Sequence, residues 1–328
     1  MAGGPSTPAL AAAVSEAGGF GFLAAGYRSA EEMREEIAGL RQQTNRPFGV
    51  NVFVPSGAPA ARVVVEAYAQ RLAPLAEQMG VDLGEPRFED DEFEAKCSAL
   101  AKDPPAVVSF TFGCPEQGLV DELRAAGTEV WVTVTDVEEA VLAARVGADA
   151  LVAQGAEAGG HRGSFVDRPD RVEYGLLALL QLIREEAELP LIASGGIATG
   201  AAIAGVLAAG ATAAQLGTAF MLCPEAGTSP AHRAAIASTR PTGLTRAFSG
   251  RLARGIVNRL LAEHSDAAPL AYPQVHHLTS PLRAHGRKVG DEDVINLWAG
   301  EAHALAEARP AAEVVAKLNR EAREVLKR

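Results

Sequence analysis

Leu191-Ile-Ala-Ser-Gly-Gly-Ile197, followed by Gln215-Leu-Gly-Thr-Ala-Phe220, is the pair of stretches on which the fold is decided. Each is an apolar run that ends in glycine where a helical pattern begins. Glycine permits close backbone approach and unusual dihedrals. Backbone N–H groups at such a turn point towards an oxyanion near a helix N-terminus. One turn of this kind is equally well read as a tight connection. Two in succession point to a phosphate cradle made of Ser194, Gly195 and Gly196 together with Gln215, Leu216, Gly217 and Thr218. In parallel barrels such cradles occupy the loops after strands 7 and 8.

Outward from this pair the chain keeps one rhythm, a short apolar run and then an amphipathic stretch. The runs are Phe20-Leu23, Phe48-Val54, Ala106-Phe110, Glu129-Val134, Ala150-Ala153, Leu191-Ala193 and Ala213-Leu216. Repeated βα units imply a parallel sheet. A helical segment, Pro8-Ala17, precedes the first run and implies one more strand in front of it. Seven runs plus that strand favour a (β/α)8 TIM barrel over an open doubly wound sheet, with the first barrel strand absent or truncated. From about residue 239 the rhythm breaks into Arg-, Gly- and Ser-rich and then Pro- and His-rich sequence. The expected organisation is a barrel over residues 1–238 and a small C-terminal cap over 239–328. Short helices are expected at Asp291-Leu297 and Ala302-Arg309, and a final helix at Ala311-Lys327 is expected to pack back on the barrel.

Composition agrees with this architecture. Hydrophobic residues make up 48% of the 328, aromatics only 5%, so Ala, Val, Leu and Ile fill the core, as in parallel strands covered by helices. The net charge of −11 argues against nucleic acid and anionic membranes as partners. It also requires local groups to attract any anionic substrate. Cys97, Cys114 and Cys223 are not at metal-ligand spacing and suggest neither a metal site nor a disulfide framework. Reduced thiols and the lack of a signal segment or long apolar stretch read as a cytoplasmic protein.

A second constellation is Gln154-Gly-Ala-Glu-Ala-Gly-Gly-His-Arg-Gly163, directly after a strand. The Gln154 amide can donate to and accept from a planar heterocycle. Gly159 and Gly160 let the chain run close to a ligand. His161 then stands at the barrel mouth, with an ordinary pKa near neutrality that suits proton transfer or anion pairing. Asn51, inside the apolar run Phe48-Val54, needs a hydrogen-bond partner if buried, and a ligand edge would supply one. Met1, Ala2 and Gly3 are further candidates for ligand contact. Arg246, Arg251 and Arg254 form a basic cluster, for which structural ion pairs are the simpler reading. Tyr272, His276 and His277 are candidates to reach the site from the cap. Glu89-Asp-Asp-Glu92 reads as a solvated face.

Together these motifs resemble the nitronate monooxygenases, formerly called 2-nitropropane dioxygenases. The resemblance rests on Gln154–His161, Ser194-Gly-Gly-Ile-Ala-Thr-Gly200 and Gln215–Thr218. Met1-Ala-Gly-Gly4, Ala17–Phe22, Ser109–Gly113, Pro224–Thr228, Thr245-Arg-Ala-Phe-Ser-Gly250 and Leu297-Trp-Ala-Gly300 extend it over almost the whole chain. It implies an FMN enzyme that oxidises alkyl nitronates with O2 to a carbonyl compound and nitrite, without nicotinamide. It implies flavin contacts at Asn51, Gln154, Gly159, Gly196 and Gln215–Thr218, with His161 as the base or the substrate-positioning group. The alternative is an NAD(P)H-dependent flavin reductase of the quinone reductase or enoyl-acyl-carrier-protein reductase II type, which shares the barrel and the Gly-Gly-His loop. In the family an apolar first strand precedes the Met-Ala-Gly-Gly segment, whereas here the sequence begins at that Met. An upstream start, another segment or a second subunit, as in a homodimer, would each cover the open edge.

Overall fold

The apolar runs form strands because their β-branched and aromatic side chains suit a pleated surface buried on both faces. The computed structural model describes residues 1–55 and 57–327. Its strands are β1 (Gly21–Ala24), β2 (Phe48–Phe53), β3 (Val107–Thr111), β4 (Glu129–Val134), β5 (Ala150–Gln154), β6 (Gly160–His161), β7 (Leu191–Ser194), β8 (Ala213–Gln215), β9 (Thr242–Thr245) and β10 (Ala253–Ile256). Seven of them form one parallel sheet in the order β1-β2-β3-β4-β5-β7-β8. Helices follow the strands and pack outside, so the sheet curls into a TIM-barrel-like arc. The seven expected runs are these seven strands, and no ladder joins β1 to β8 among the described residues.

The core divides with the arc. Val50, Val52, Val108, Phe110 and Val130 pack against the helices Ala30–Arg41 and Gln117–Ala125. Val132, Val134, Leu151 and Leu191 pack against Val137–Arg145 and Leu176–Glu186. Each such side chain is worth about 1.5–3 kcal/mol of transfer free energy when fully buried. Glycine sets two close approaches here. A Cβ on Gly21 would meet the Ala11 backbone of helix Pro8–Glu16, and one on Gly49 would enter the Phe22 ring. Phe22 therefore fits inside the arc, beside Phe20 and Trp131.

Beyond β8 a small antiparallel sheet, β6-β10-β9, ties later sequence to the loop after β5. The final helix, Ala311–Leu326, packs on the barrel helices: Val314 and Leu318 join Leu10 and Phe220, and Gly200 lies against Glu321 and Ala322. No helix among the described residues is long and apolar enough to cross a membrane.

Three local expectations change. A helix at Phe93–Lys102 carries Lys96, which is buried and paired with Asp91 at 2.8 Å. Asp91 Oδ1 also accepts from the Tyr27 amide, so the acidic run is not simply a solvated face. The Pro- and His-rich stretch contains a long helix, Gln274–Val289, despite Pro281. Residues 291–297 and 302–309 form turns and one 3-10 segment, His303–Leu305, rather than α-helices.

Because the Phe22 ring occupies the space in front of Gly49, Gly49→Ala is expected to cost about 1–3 kcal/mol by overpacking. The urea midpoint checks it; an unchanged midpoint would mean that Phe22 is free to move.

Candidate functional site

The strand ends β1, β2, β3, β5, β7 and β8 border one cavity of about 1260 Å³. A pocket for one drug-sized ligand is about 300–1,000 Å³, so this one has room for a cofactor and a substrate. The residues that the sequence marked for cofactor contact or catalysis all lie on its wall: Met1, Ala2, Gly3, Asn51, Gln154, Gly159, Gly160, His161, Ser194, Gly195, Gly196, Gln215, Leu216, Gly217 and Thr218.

The two glycine turns form its anion end. Gly195 and Gly196 have φ of +116° and +67°, conformations that favour glycine. A Cβ on Gly195 would stand 3.0 Å from the Ala158 amide nitrogen. Among the described residues the amides of Gly195, Gly196, Gly217 and Thr218 have no hydrogen-bond acceptor in the protein. Such unpaired donors beside a cavity are the donor set a phosphate needs. The helix after β7 contributes less than its position suggests. Its Gly200 amide donates to Glu321 of the final helix and its Ala202 amide to Thr199, so the cradle is the turns themselves.

His161 lies on β6, which pairs with β10 through His161 and Ala253. Its ring sits among Phe112, Tyr272 and Trp298, with centroids 5.4 to 5.8 Å away. Nε2 is 2.7 Å from Ser249 Oγ. Burial pushes the imidazole pKa down to about 3, and the charges of Arg251 and Arg283 add to that shift. The ring is therefore neutral at physiological pH. Phe112 adopts φ +77°, a strained conformation for a bulky residue. It is held between Phe53, His161 and the Arg251 guanidinium, which stands 4.0 Å from its ring centroid.

The two amides are oriented by the protein. Ser109 and Thr111 donate to Asn51 Oδ1 at 2.8 and 3.0 Å, which leaves the Asn51 N–H end for the cavity. The Gln154 oxygen accepts from Arg162 and from the Gly163 amide, and Gln154 Nε2 donates to the His161 carbonyl. Gln154 thus retains one N–H and no unengaged acceptor face, which narrows the donor-and-acceptor role expected of it. Buried Arg162 also reaches the Gln154 and Gly155 carbonyls and pairs with Glu173 at 2.6 Å. Glu157 accepts from the Leu176 amide and caps a helix.

From the later sequence, Tyr272 packs on His161 and His276 lines the cavity, whereas His277 turns away to Glu89 at 2.9 Å. Arg246 binds Asp167 with two hydrogen bonds and Arg254 pairs with Glu301, as the structural reading of that cluster expected. Sequence reasoning missed Ser249, Phe112, Trp298 and Arg283. Trp298 and Ser249 stood inside quoted motifs without a stated role; nothing in the local pattern around Arg283 marked it.

With this geometry in view, comparison with known proteins is informative. Residues 1–321 match the family model described as nitronate monooxygenase. Nitronate monooxygenase of Paraburkholderia phytofirmans is 41% identical, over 97% of this chain and 89% of its own length. A crystal structure of nitroalkane oxidase from Streptomyces ansochromogenes superposes with a TM-score of 0.97 at 50% identity, covering 100% of this chain and 95% of that one. FabK from Thermotoga maritima superposes with a TM-score of 0.78 at 27% identity, covering 100% and 92%.

The low histidine pKa values have a consequence for stability. His161 is held at about 3 and His232 at about 4, both chiefly by burial, against an unfolded value near 6.5. Below about pH 6.5 the unfolded chain takes up protons that the folded one refuses, so stability falls from there towards pH 3 and is flat above. The denaturation midpoint should follow that curve, with a shallower acid slope in His161→Asn; an equal slope would assign the acid loss elsewhere.

Proposed function

The chain belongs to the nitronate monooxygenase family and is an oxidoreductase, and on that premise we propose that it oxidises alkyl nitronates, such as propionate 3-nitronate, with O2 to a carbonyl compound and nitrite, using FMN. The observation that carries this reading is one cavity with a cradle of unpaired amides at one side and a neutral, caged His161 at another. FMN, when bound, supplies the electron route between substrate and O2, which no protein side chain here provides.

The residues fit that group. The Gly195, Gly196, Gly217 and Thr218 amides would hold the phosphate, with Ser194, Gln215 and Leu216 framing the turns. The remaining N–H groups of Asn51 and Gln154 would meet acceptors on the ring system. Gly159 and Gly160 let the chain pass close to it, and Met1, Ala2 and Gly3 close another wall. Residues 239–328 act as the cap: Ser249, Tyr272, His276 and Trp298 come from it and surround His161.

His161 has two acid–base faces, set by the one proton of the Ser249 hydroxyl. When that proton goes to Nε2, the ring carries its hydrogen on Nδ1, which can donate to a nitronate oxygen and position it. When it goes to the Arg251 carbonyl at 3.2 Å, Nδ1 is the acceptor and can take the α-proton of a nitroalkane.

The FMN-saturated protein should be yellow and should consume O2 with a nitronate. His161→Asn should lower the rate by about 10²–10⁴-fold while FMN stays bound. A flavin-loaded protein that takes up no O2 with several nitronates sinks the proposal, and anaerobic bleaching by NADH or NADPH in that same protein would make it a reductase.

A further inference from the structure

We propose that Arg283 is the anion-binding residue of the cavity, donating from its guanidinium to the substrate anion and setting the preference for anionic over neutral substrates. The inference rests on the proposed nitronate chemistry for the identity of the anion, and on geometry for the site.

Arg283 lies on the helix Gln274–Val289. Its side chain is only 5% exposed, yet it contributes to the cavity wall. Nε donates to Thr279 Oγ1 at 3.1 Å, and Nη2 to the His276 carbonyl at 2.6 Å. No acceptor is found for Nη1, and no carboxylate lies within ion-pair distance of the guanidinium, among the described residues. Four other buried or half-buried arginines of this region are matched by carboxylates: Arg162 by Glu173, Arg171 by Asp136 and Glu139, Arg246 by Asp167, Arg254 by Glu301. A buried cation without a counter-ion is costly. Here the surroundings push its pKa down to about 10, through burial and the nearby Arg287 charge, which still leaves it cationic at neutral pH. An anion entering the cavity would relieve that cost.

The surroundings favour a small oxyanion. The Tyr27 ring stacks on His276 at 4.2 Å, and the Tyr27 hydroxyl accepts from Tyr272. Its own proton has no acceptor among the described residues, so a hydroxyl donor stands within electrostatic reach of the guanidinium. The site draws on Arg283 of the Gln274–Val289 helix and Tyr27 after β1, whereas the amide cradle is built by the turns after β7 and β8. With a net charge of −11, the overall field repels an anion, and a local cation is what would retain it.

The test uses the FMN-saturated protein, with nitrate as an inert planar oxyanion. Arg283→Gln should weaken nitrate binding, measured by calorimetry, by about 10–100-fold, the size of one charge-assisted hydrogen bond. The same variant should raise KM for an alkyl nitronate by a similar factor, with a smaller fall in kcat. Its KM for the neutral nitroalkane of the same skeleton should barely move. Arg283→Lys, which keeps the charge but loses the fork, should recover part of both losses. In the unaltered protein, saturating nitrate should protect Arg283 from phenylglyoxal, read by mass spectrometry, which covers the case of a variant that does not fold. Wild-type nitrate and nitronate constants in Arg283→Gln, equal losses for charged and neutral substrates, or Arg283 labelling indifferent to nitrate would each overturn the inference. Nitrate binding needs no turnover. A protein that binds nitrate through Arg283 but leaves nitronates unoxidised would fail the functional proposal alone.

Discussion

The buried Arg162 guanidinium is the interaction on which the site depends. It reaches the Gln154 side chain, the Gln154 and Gly155 carbonyls and Glu173 at once. Those contacts join the end of β5 to the loop that carries His161. The peptide on either side of Arg162 is bound by later sequence: its amide donates to Leu252, and its carbonyl accepts from Arg251. A charge this deeply buried is costly unless a counter-charge meets it, and Glu173 supplies one. Satisfying it fixes the strand, the loop and the C-terminal segment in one arrangement, and the position of the His161 ring follows from that arrangement.

Around this point the protein separates two kinds of positive potential. At β7 and β8 it consists of amide dipoles in glycine turns. At the Gln274–Val289 helix it consists of the Arg283 guanidinium. Between them stands a histidine held neutral by desolvation and by the Arg251 and Arg283 charges. Charged donors and a neutral imidazole can share one cavity because burial keeps the His161 ring of the unliganded protein neutral at ordinary pH. The preorganised donors then need no rearrangement to meet negative charge.

Much of this was legible along the chain. The seven runs became the seven strands of the parallel sheet, since a strand buried on both faces needs a nearly continuous apolar stretch and leaves that mark locally. The glycine turns and the Gly-Gly-His161 loop were visible because close backbone approach excludes a Cβ. The long helix Gln274–Val289 was not, because Pro281 and two adjacent histidines carry the composition of a loop. Its stability comes from packing: Leu278 and Val275 bury against Tyr68 and Leu72, and the Leu278 carbonyl accepts from Gly84. Propensity is a weak prior once tertiary contacts of that kind exist.

The sequence by itself determined the strand rhythm, the turns able to bind an anion and the residue types at the site, because each is a property of neighbours within a few positions. The tertiary structure alone decided which polar groups remain unspent. It engaged the Gln154 oxygen with Arg162 and Gly163, closed the Gly200 amide with Glu321, and, among the described residues, placed no carboxylate beside Arg283. The partners lie eight and nine residues away at Gln154 and 121 residues away at Gly200, and satisfaction of a hydrogen-bonding group is set by whatever the fold places beside it.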